Sequence, residues 1–328
     1  MKRLILFLTL VNFFQIGYTQ IIRGTVLDFS DNSIINFASI YISGTYIGTN
    51  SDQNGNFELD LSNHGSLPLT ISALGYNSVT LTDFSDDKPT IVYLTPKMFE
   101  LNEVVISAKS LSKEKKANMK LFRNEFLGIT DNAHKCVIVN ENDIIFNTGS
   151  SNDTLKVLSS KQLIINNKGL GYRITYYLDK FEYYKKSKSF LYKGSTVFNE
   201  DMTDKLLEKK YFEKKRKNAY LGSRSHFFSS LWANELKSNG FVVKNSADEI
   251  LRYEDIVTVR SGFKKYLSYK GRLSICYLSK NPNSYIEVVQ VPVFFDRTGY
   301  YDGSGVRIIG EMAKQRVGDL LPYDYRLK

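Results

Sequence analysis

Between residues 21 and 107 the chain alternates short apolar runs with turn-forming Gly, Asn and Asp residues, and this pattern constrains the fold most strongly. The clearest run has Phe57, Leu59 and Leu61 separated by single polar residues. A period of two residues is typical of a strand with one buried face. Seven or eight such runs at this spacing predict a β-sandwich.

The turn at residues 52–55, Asp-Gln-Asn-Gly, offers oxygen ligands of the kind that calcium prefers. An EF-hand loop, however, needs glycine at the sixth position and a bidentate glutamate at the twelfth. Here Gly55 is fourth and Asn63 is twelfth. The spacing therefore favours a hairpin turn in which Gly55 supplies a positive φ, and we expect neither a metal site nor a cofactor in this chain.

Residues 1–19 have the composition of an export signal. Lys2 and Arg3 precede an apolar stretch at residues 4–16, and Gly17-Tyr18-Thr19 follows. The apolar stretch is shorter than the about twenty residues that a membrane helix needs. This predicts secretion with cleavage before Gln20, an uncleaved anchor being the alternative. No later stretch is long and apolar enough for a helical span, so we expect no transmembrane helix in the mature chain.

Charge divides the mature chain near residue 108. Residues 20–108 contain three basic and ten acidic side chains, a net charge of −7. Residues 1–19 carry +2, so residues 109–328 carry +15 if the net charge of the whole chain is to be +10. Such asymmetry predicts a domain boundary, here between domains at 20–108 and 109–328. With aromatic residues at 13% and only 6 Pro in 328 residues, the composition favours strands. The predicted fold class is mainly β with some helix, an α+β protein.

The second region also consists mostly of strand patterns. A helix is expected at residues 112–127, followed by strands at 136–139, 144–147, 155–158, 163–166, 171–181 and 189–198. Two helices are expected within residues 203–240: the first ends in the basic run 214–217, and the second begins at Ser223 or Ser225 and ends before Gly240. Strands then return at 266–269, 273–278 and 306–309, with one long strand at 285–295.

Several short segments of the first region occur in an order typical of one family. They are Arg23-Gly24-Thr25-Val26, Ala38-Ser39-Ile40-Tyr41-Ile42, Gly48-Thr49-Asn50-Ser51-Asp52, Gly55-Asn56-Phe57, Ser72-Ala73-Leu74-Gly75-Tyr76 and Leu101-Asn102-Glu103-Val104-Val105. In this combination the region resembles the carboxypeptidase regulatory-like domain. The resemblance implies a seven-stranded, transthyretin-like sandwich in an exported protein of the Gram-negative envelope, and it implies no activity.

Two usual neighbours of that sandwich are absent from the rest of the sequence. A zinc carboxypeptidase needs a His followed by a nearby Glu, and none of His64, His134 and His226 has Glu three residues later. The plug and barrel of a TonB-dependent receptor do not fit into the 220 residues that remain. The second region is similar instead to a domain of unknown function often found downstream of the sandwich. The segments that carry this resemblance are Phe126-Leu127-Gly128, Gly169-Leu170-Gly171-Tyr172, Ala219-Tyr220-Leu221-Gly222-Ser223 with His226-Phe227, and Asp319-Leu320-Leu321-Pro322.

Few residues suggest catalysis. His226 at a helix start, near Ser223 and Ser225, allows a Ser–His pair, although a capping turn explains the same residues. His134 and Cys136 fall on one face of a predicted strand, which allows a Cys–His pair or a small buried cysteine. Cys136 and Cys276 are the only cysteines, and in an oxidising compartment they are candidates for a disulfide.

The basic excess indicates an anionic partner. The stretch 209–217 interleaves Tyr211 and Phe212 with basic residues, but an exported protein rarely meets nucleic acid, so we expect none. An envelope protein or an anionic glycan such as lipopolysaccharide fits the predicted compartment better. The sequence thus leaves catalysis open and favours a non-catalytic envelope protein, periplasmic or at the outer membrane. The alternative is an envelope hydrolase that uses His226 with a nearby serine.

Overall fold

The structure is a computed structural model that describes residues 20–61, 64, 67–82, 84, 88–97, 108–148, 153–200, 203–260 and 264–327. The predicted export signal at residues 1–19 lies outside these ranges, and so does the last short apolar run of the first region, at residues 103–106, which the sequence suggests as an eighth strand. Within the ranges, no helix combines the length and the apolar composition that a membrane span requires.

The described residues between 21 and 94 form a sandwich of two sheets. Its strands in chain order are β1 (Ile21–Asp28), β2 (Ser39–Ile42), β3 (Gly48–Asn50), β4 (Asn56–Asp60), β5 (Leu69–Ser72), β6 (Val79–Leu81) and β7 (Thr90–Leu94). One sheet has the order β4-β1-β7 and the other β3-β2-β5-β6. These seven strands in the described residues confirm the predicted β-sandwich.

Alternation along the strands produces the core of the sandwich. In β4, Phe57 and Leu59 are buried while their neighbours are exposed. They pack with Ile22 of β1 and with Ile40 and Ile71 of the opposite sheet, all three of which are fully buried. Removing such side chains from water is the main stabilising contribution to a fold of this kind.

The turn at residues 52–55 differs from the hairpin that the sequence suggests. It joins β3 to β4, which belong to different sheets, so the turn crosses from one layer of the sandwich to the other. The Asp52 carboxylate accepts the N–H groups of Asn54 and Asn56, each at 2.8 Å, and Gly55 has φ +73° as expected. Asp52 is therefore committed to stabilising the turn. Among the described residues no cluster of metal-ligating side chains is present.

The second region begins with a helix packed on a six-stranded sheet. Its elements are α1 (Ala108–Phe126), α2 (Asp131–His134), β8 (Cys136–Ile138), β9 (Ile144–Asn147), β10 (Thr154–Ser159), β11 (Leu163–Asn167), β12 (Tyr172–Tyr184) and β13 (Ser189–Asn199). The sheet has the order β8-β11-β12-β10-β9, and β13 pairs with β12. The rings of Phe122 and Phe126, one helical turn apart, meet Phe181 and Tyr176 edge-on at 4.9 and 4.8 Å.

The remainder of the chain forms a second core within the basic region. Its elements are α3 (Leu206–Tyr220), α4 (Arg224–Ala233), β14 (Phe241–Lys244), α5 (Tyr253–Ile256), β15 (Val257–Val259), β16 (Lys265–Leu267), β17 (Gly271–Tyr277), β18 (Ser284–Val288), β19 (Val293–Phe295), β20 (Val306–Gly310) and α6 (Glu311–Lys314). Two sheets, β14-β17-β18-β20 and β15-β16-β19, enclose Phe227, Phe228 and Leu231 of α4. The predicted class, mainly β with some helix, is confirmed; the domain bounds 20–108 and 109–328 remain a prediction.

Three local predictions for the basic region are wrong. The long strand expected at 285–295 is two strands in different sheets, because Pro292 between them has no N–H to give to a ladder. Helix α4 ends at Ala233, well before Gly240, because Asn234 adopts a left-handed conformation and caps it. The basic run 214–217 does not end helix α3 but lies inside it, and β14 was not predicted.

Candidate functional site

The sandwich is joined to the second region through the turn between β2 and β3. The Gly44 N–H donates to Thr196 O at 2.7 Å, and the Phe198 N–H donates to Thr45 O at 3.0 Å. Thr45 and Val197 form a parallel bridge, so the turn extends the edge of β13. On the other side of the turn, the Tyr323 N–H donates to Gly44 O at 2.7 Å. We call these contacts, with the residues that make them, the joint.

Side chains reinforce the joint beneath the turn. The Tyr41 ring stacks on Tyr177 with centroids 4.5 Å apart, and the two hydroxyls of Tyr41 and Ser195 lie 2.5 Å from each other. Burial raises the pKa of Tyr41, so its hydroxyl stays neutral and able to donate. A stacked pair and a buried hydrogen bond fix the orientation of the sandwich more closely than backbone contacts alone.

A cleft of about 530 Å³ opens beside the joint. Its walls come from the sandwich, from the six-stranded sheet, from helix α3 and from the C-terminal segment. The lining residues are Tyr46, Tyr172, Glu200, Lys210, Glu213, Lys214, Arg216, Lys217, Asp324, Tyr325 and Arg326. We call this the basic cleft. Tyr46 is the one lining residue that the sandwich supplies, so the docked sandwich contributes one edge of the cleft.

Arg216 holds the floor of the basic cleft together. This residue is only 6% exposed, and its guanidinium donates to the carbonyl oxygens of Leu170 at 2.7 Å and Gly171 at 3.2 Å. It also pairs with the Glu200 carboxylate and lies over the Tyr172 ring, 4.0 Å from its centroid. A guanidinium engaged on every edge has a positioning role, and Arg is suited to it by its planar fork of donors.

The carboxylates of the cleft are largely committed to neighbours. Glu200 pairs with Arg216, and Asp324 accepts from the ring of His64 at 2.5 Å and from the Tyr46 N–H at 3.2 Å. Arg326 donates instead to two backbone carbonyls, at 2.7 and 2.8 Å. The cleft therefore keeps an excess of positive charge that the walls do not neutralise.

Three lysines of helix α3 carry that excess. Lys210, Lys214 and Lys217 are exposed, and in the described part of the chain none of them forms a hydrogen bond or an ion pair. Opposite them stands Tyr46, which is 37% exposed and whose pKa burial raises to about 12. Its neutral phenol already donates to the Glu200 carboxylate at 3.5 Å. The three lysines therefore set the chemistry of the cleft, which suits an anionic ligand.

Comparison with known families bears on one part of the chain. Residues 22–106 match the family model of the CarboxypepD_reg-like domain. This confirms the resemblance inferred from the sequence, and the matched residues include all of the described sandwich except Ile21, the first residue of β1. No family model matches the rest of the chain. A search among curated proteins finds no match.

The residues considered for catalysis lie outside the basic cleft and the CarboxypepD_reg-like domain. The Ser223 hydroxyl accepts a hydrogen bond from the backbone N–H of His226 at 3.0 Å and so caps helix α4. The His226 ring is 3% exposed, and its Nδ1 accepts the N–H of Gly222 at 3.1 Å. Ser223 and Ser225 line a cavity of only about 30 Å³. The geometry thus matches the capping turn and brings no Ser–His pair together, since a nucleophile must bond to the imidazole itself.

The two cysteines are free thiols, so the candidate disulfide between Cys136 and Cys276 is not formed. They lie in different sheets, and their Sγ atoms point to the carbonyl oxygens of Asn132 at 3.4 Å and Lys280 at 3.7 Å. Burial raises the pKa of Cys136 to about 12, which disfavours the reactive thiolate. His134 ends helix α2 and does not share a strand with Cys136, contrary to the prediction.

Sequence reasoning identified only part of the basic cleft. The stretch 209–217 is recognisable in the sequence as a charged run, and the i, i+4, i+7 spacing of Lys210, Lys214 and Lys217 places them on one helical face. No local sequence pattern identifies Tyr46 or Asp324 as residues of the cleft. Tyr46 contacts Glu200, which is 154 positions away, and Asp324 contacts His64, which is 260 positions away.

Proposed function

We propose that this chain is an exported, non-catalytic protein of the Gram-negative cell envelope, in which the CarboxypepD_reg-like sandwich supports a second region that binds an anionic envelope polymer or a protein partner. Export rests on the composition of residues 1–19, and the envelope on the resemblance of the sandwich.

One observation carries the binding proposal: within the described residues, three lysines of the basic cleft have no partner, while its carboxylates Glu200 and Asp324 are already paired. Unpaired cations on a fixed helix attract anions without rearrangement of the protein. The joint makes the cleft a composite site, so the sandwich contributes to binding both as a support and through Tyr46. An anionic polymer fits this site better than a neutral partner.

Binding is tested with the chain from Gln20 onward, immobilised and exposed to acidic polysaccharides and outer-membrane extracts of a Gram-negative bacterium. We expect anionic polymer to be retained at about 0.1 M salt and released at about 1 M, because the screening length falls from about 10 Å to about 3 Å. An identically treated column carrying a neutral-surface protein is the control. If no envelope component is retained, the binding proposal is wrong.

Export is tested separately by fractionating cells that express the full chain. We expect the protein in the envelope fractions with Gln20 as its first residue, which N-terminal sequencing determines. A full-length chain confined to the cytoplasm would contradict the proposal.

A further inference from the structure

The spacing of charges in the basic cleft narrows the class of its ligand. We infer that the cleft binds an anionic oligosaccharide that carries carboxylate or phosphate groups on at least two of its sugars and lies along helix α3. The inference rests on the proposed function, because it names the polymer that the same site would hold.

The need for more than one anionic group comes from the helix. Lys210, Lys214 and Lys217 share one face of α3, and the first and last are about 10 Å apart along its axis. A single phosphate or carboxylate occupies only part of a row of this length. A chain of sugars with charged groups on successive rings can contact all three ammonium groups.

The walls allow an anion to enter the cleft. Glu200 is paired with Arg216, and Asp324 accepts hydrogen bonds from the ring of His64 and from the Tyr46 N–H. Glu213, on the same helix as the lysines, is the remaining carboxylate of the lining, so the cations outnumber it.

The aromatic side chains favour a sugar over a nucleotide. Tyr172 is 1% exposed and covered by the Arg216 guanidinium, so it gives no face for a base to stack on. The other two lining rings, Tyr46 and Tyr325, pack against Tyr172 and Tyr220 with ring centroids 6.4 and 5.4 Å apart. The Tyr46 hydroxyl donates to Glu200 at 3.5 Å, so the free polar groups of the cleft are the lysine ammonium groups. The volume of about 530 Å³ is ample for a few sugar rings.

Isothermal titration calorimetry on the chain from Gln20 onward tests the ligand class. The charged probes are tetragalacturonic acid, for carboxylates, and a delipidated, phosphorylated lipopolysaccharide core oligosaccharide, for phosphates. The controls are neutral maltotetraose, the singly charged galacturonic acid monomer and tetrathymidylate. We expect at least one charged oligosaccharide to bind about tenfold more tightly than every control. Which one binds more tightly identifies the source of the anionic groups.

Two matched triple variants test the location. K210Q/K214Q/K217Q should weaken binding of the preferred probe at least about tenfold, equivalent to about 1.4 kcal/mol. K113Q/K116Q/K120Q removes the same charge from exposed lysines of α1, and it should leave the affinity within about twofold. Both variants should keep the thermal midpoint of the parent, measured by circular dichroism, because these lysines form no bond in the described residues.

Three results would overturn the inference: equal losses in the two triple variants, a control probe that binds as tightly as the charged oligosaccharides, or no binding of either charged probe. If the charged probes fail while the column experiment retains an envelope component, only the ligand class is wrong. If the column also retains nothing, the proposed function fails with it.

Discussion

The substitution Gly44→Ala should loosen the joint between the sandwich and the second region. Gly44 has φ +78°, a conformation that costs an alanine about 1–2 kcal/mol. A Cβ there would lie 2.6 Å from two carbons of the Tyr323 ring, closer than real Cβ contacts allow. Tyr323 must then move, and with it the backbone that pairs with the turn.

The structure also sets the size of this effect. Three backbone hydrogen bonds cross the joint, donated by Gly44, Phe198 and Tyr323. At about 1 kcal/mol each, their loss lowers the free energy of opening by up to about 3 kcal/mol beyond the cost of the positive φ. Amide exchange at the joint should therefore speed up by as much as about 100-fold.

A matched variant separates the two contributions. Gly75 has φ +83°, and a Cβ added there meets nothing within 4 Å, so Gly75→Ala carries the backbone cost alone. Hydrogen exchange followed by mass spectrometry should show faster exchange at Phe198 and Tyr323 in Gly44→Ala and not in Gly75→Ala. Equal exchange at these amides in both variants would refute the reasoning.

Three further predictions concern single side chains. Arg216→Met leaves two buried carbonyl oxygens unpaired, which should lower the free energy of unfolding, measured in urea, by about 2–4 kcal/mol. The control Lys217→Met, at the exposed neighbouring residue, should change this free energy little. Similar losses in the two variants would contradict the positioning role of Arg216. Burial lowers the pKa of His226 from its usual 6.5, so the unfolded chain takes up the proton first. The free energy of unfolding should then fall as the pH drops below about 6.5, by up to about 1.4 kcal/mol per pH unit. His226→Gln should reduce this slope, measured by urea titration at several pH values. The control His134→Gln, at an exposed residue, should leave the slope unchanged. Burial also raises the pKa of Cys136 to about 12, so iodoacetamide should alkylate this thiol slowly in the native protein. After denaturation both cysteines should react as free thiols. A disulfide between them, detected by mass spectrometry, would contradict this prediction.

Sequence reasoning predicted the sandwich well because its signals are local. The alternation around Phe57 gives β4 directly, and Gly55 supplies the positive φ that the turn requires. In the basic region, helix α1 and strands such as β9 followed from the same periodicities. The errors arose where a single residue ended an element: Pro292 divides the expected long strand, and Asn234 ends α4 early.

The candidate site was less accessible from the sequence. Ser223 and His226 looked like a possible nucleophile and base because they are three residues apart at a helix start. That spacing equally fits an N-cap, and only the burial of the ring and the direction of its nitrogens distinguish the two. The disulfide was open for a similar reason, since spacing alone does not tell whether Cys136 and Cys276 meet.

The sequence by itself determined the strand periodicity of the sandwich, its family, the charge division near residue 108 and the lysine row of α3, because each depends on residues close together in the chain. Only the tertiary structure decided that the turn at Gly44 fits between β13 and the C-terminal segment. Those contacts join residues about 150 and 280 positions apart, and their energy comes from burial and hydrogen bonds formed after the units are folded. The same docking brings Tyr46 to the edge of the basic cleft.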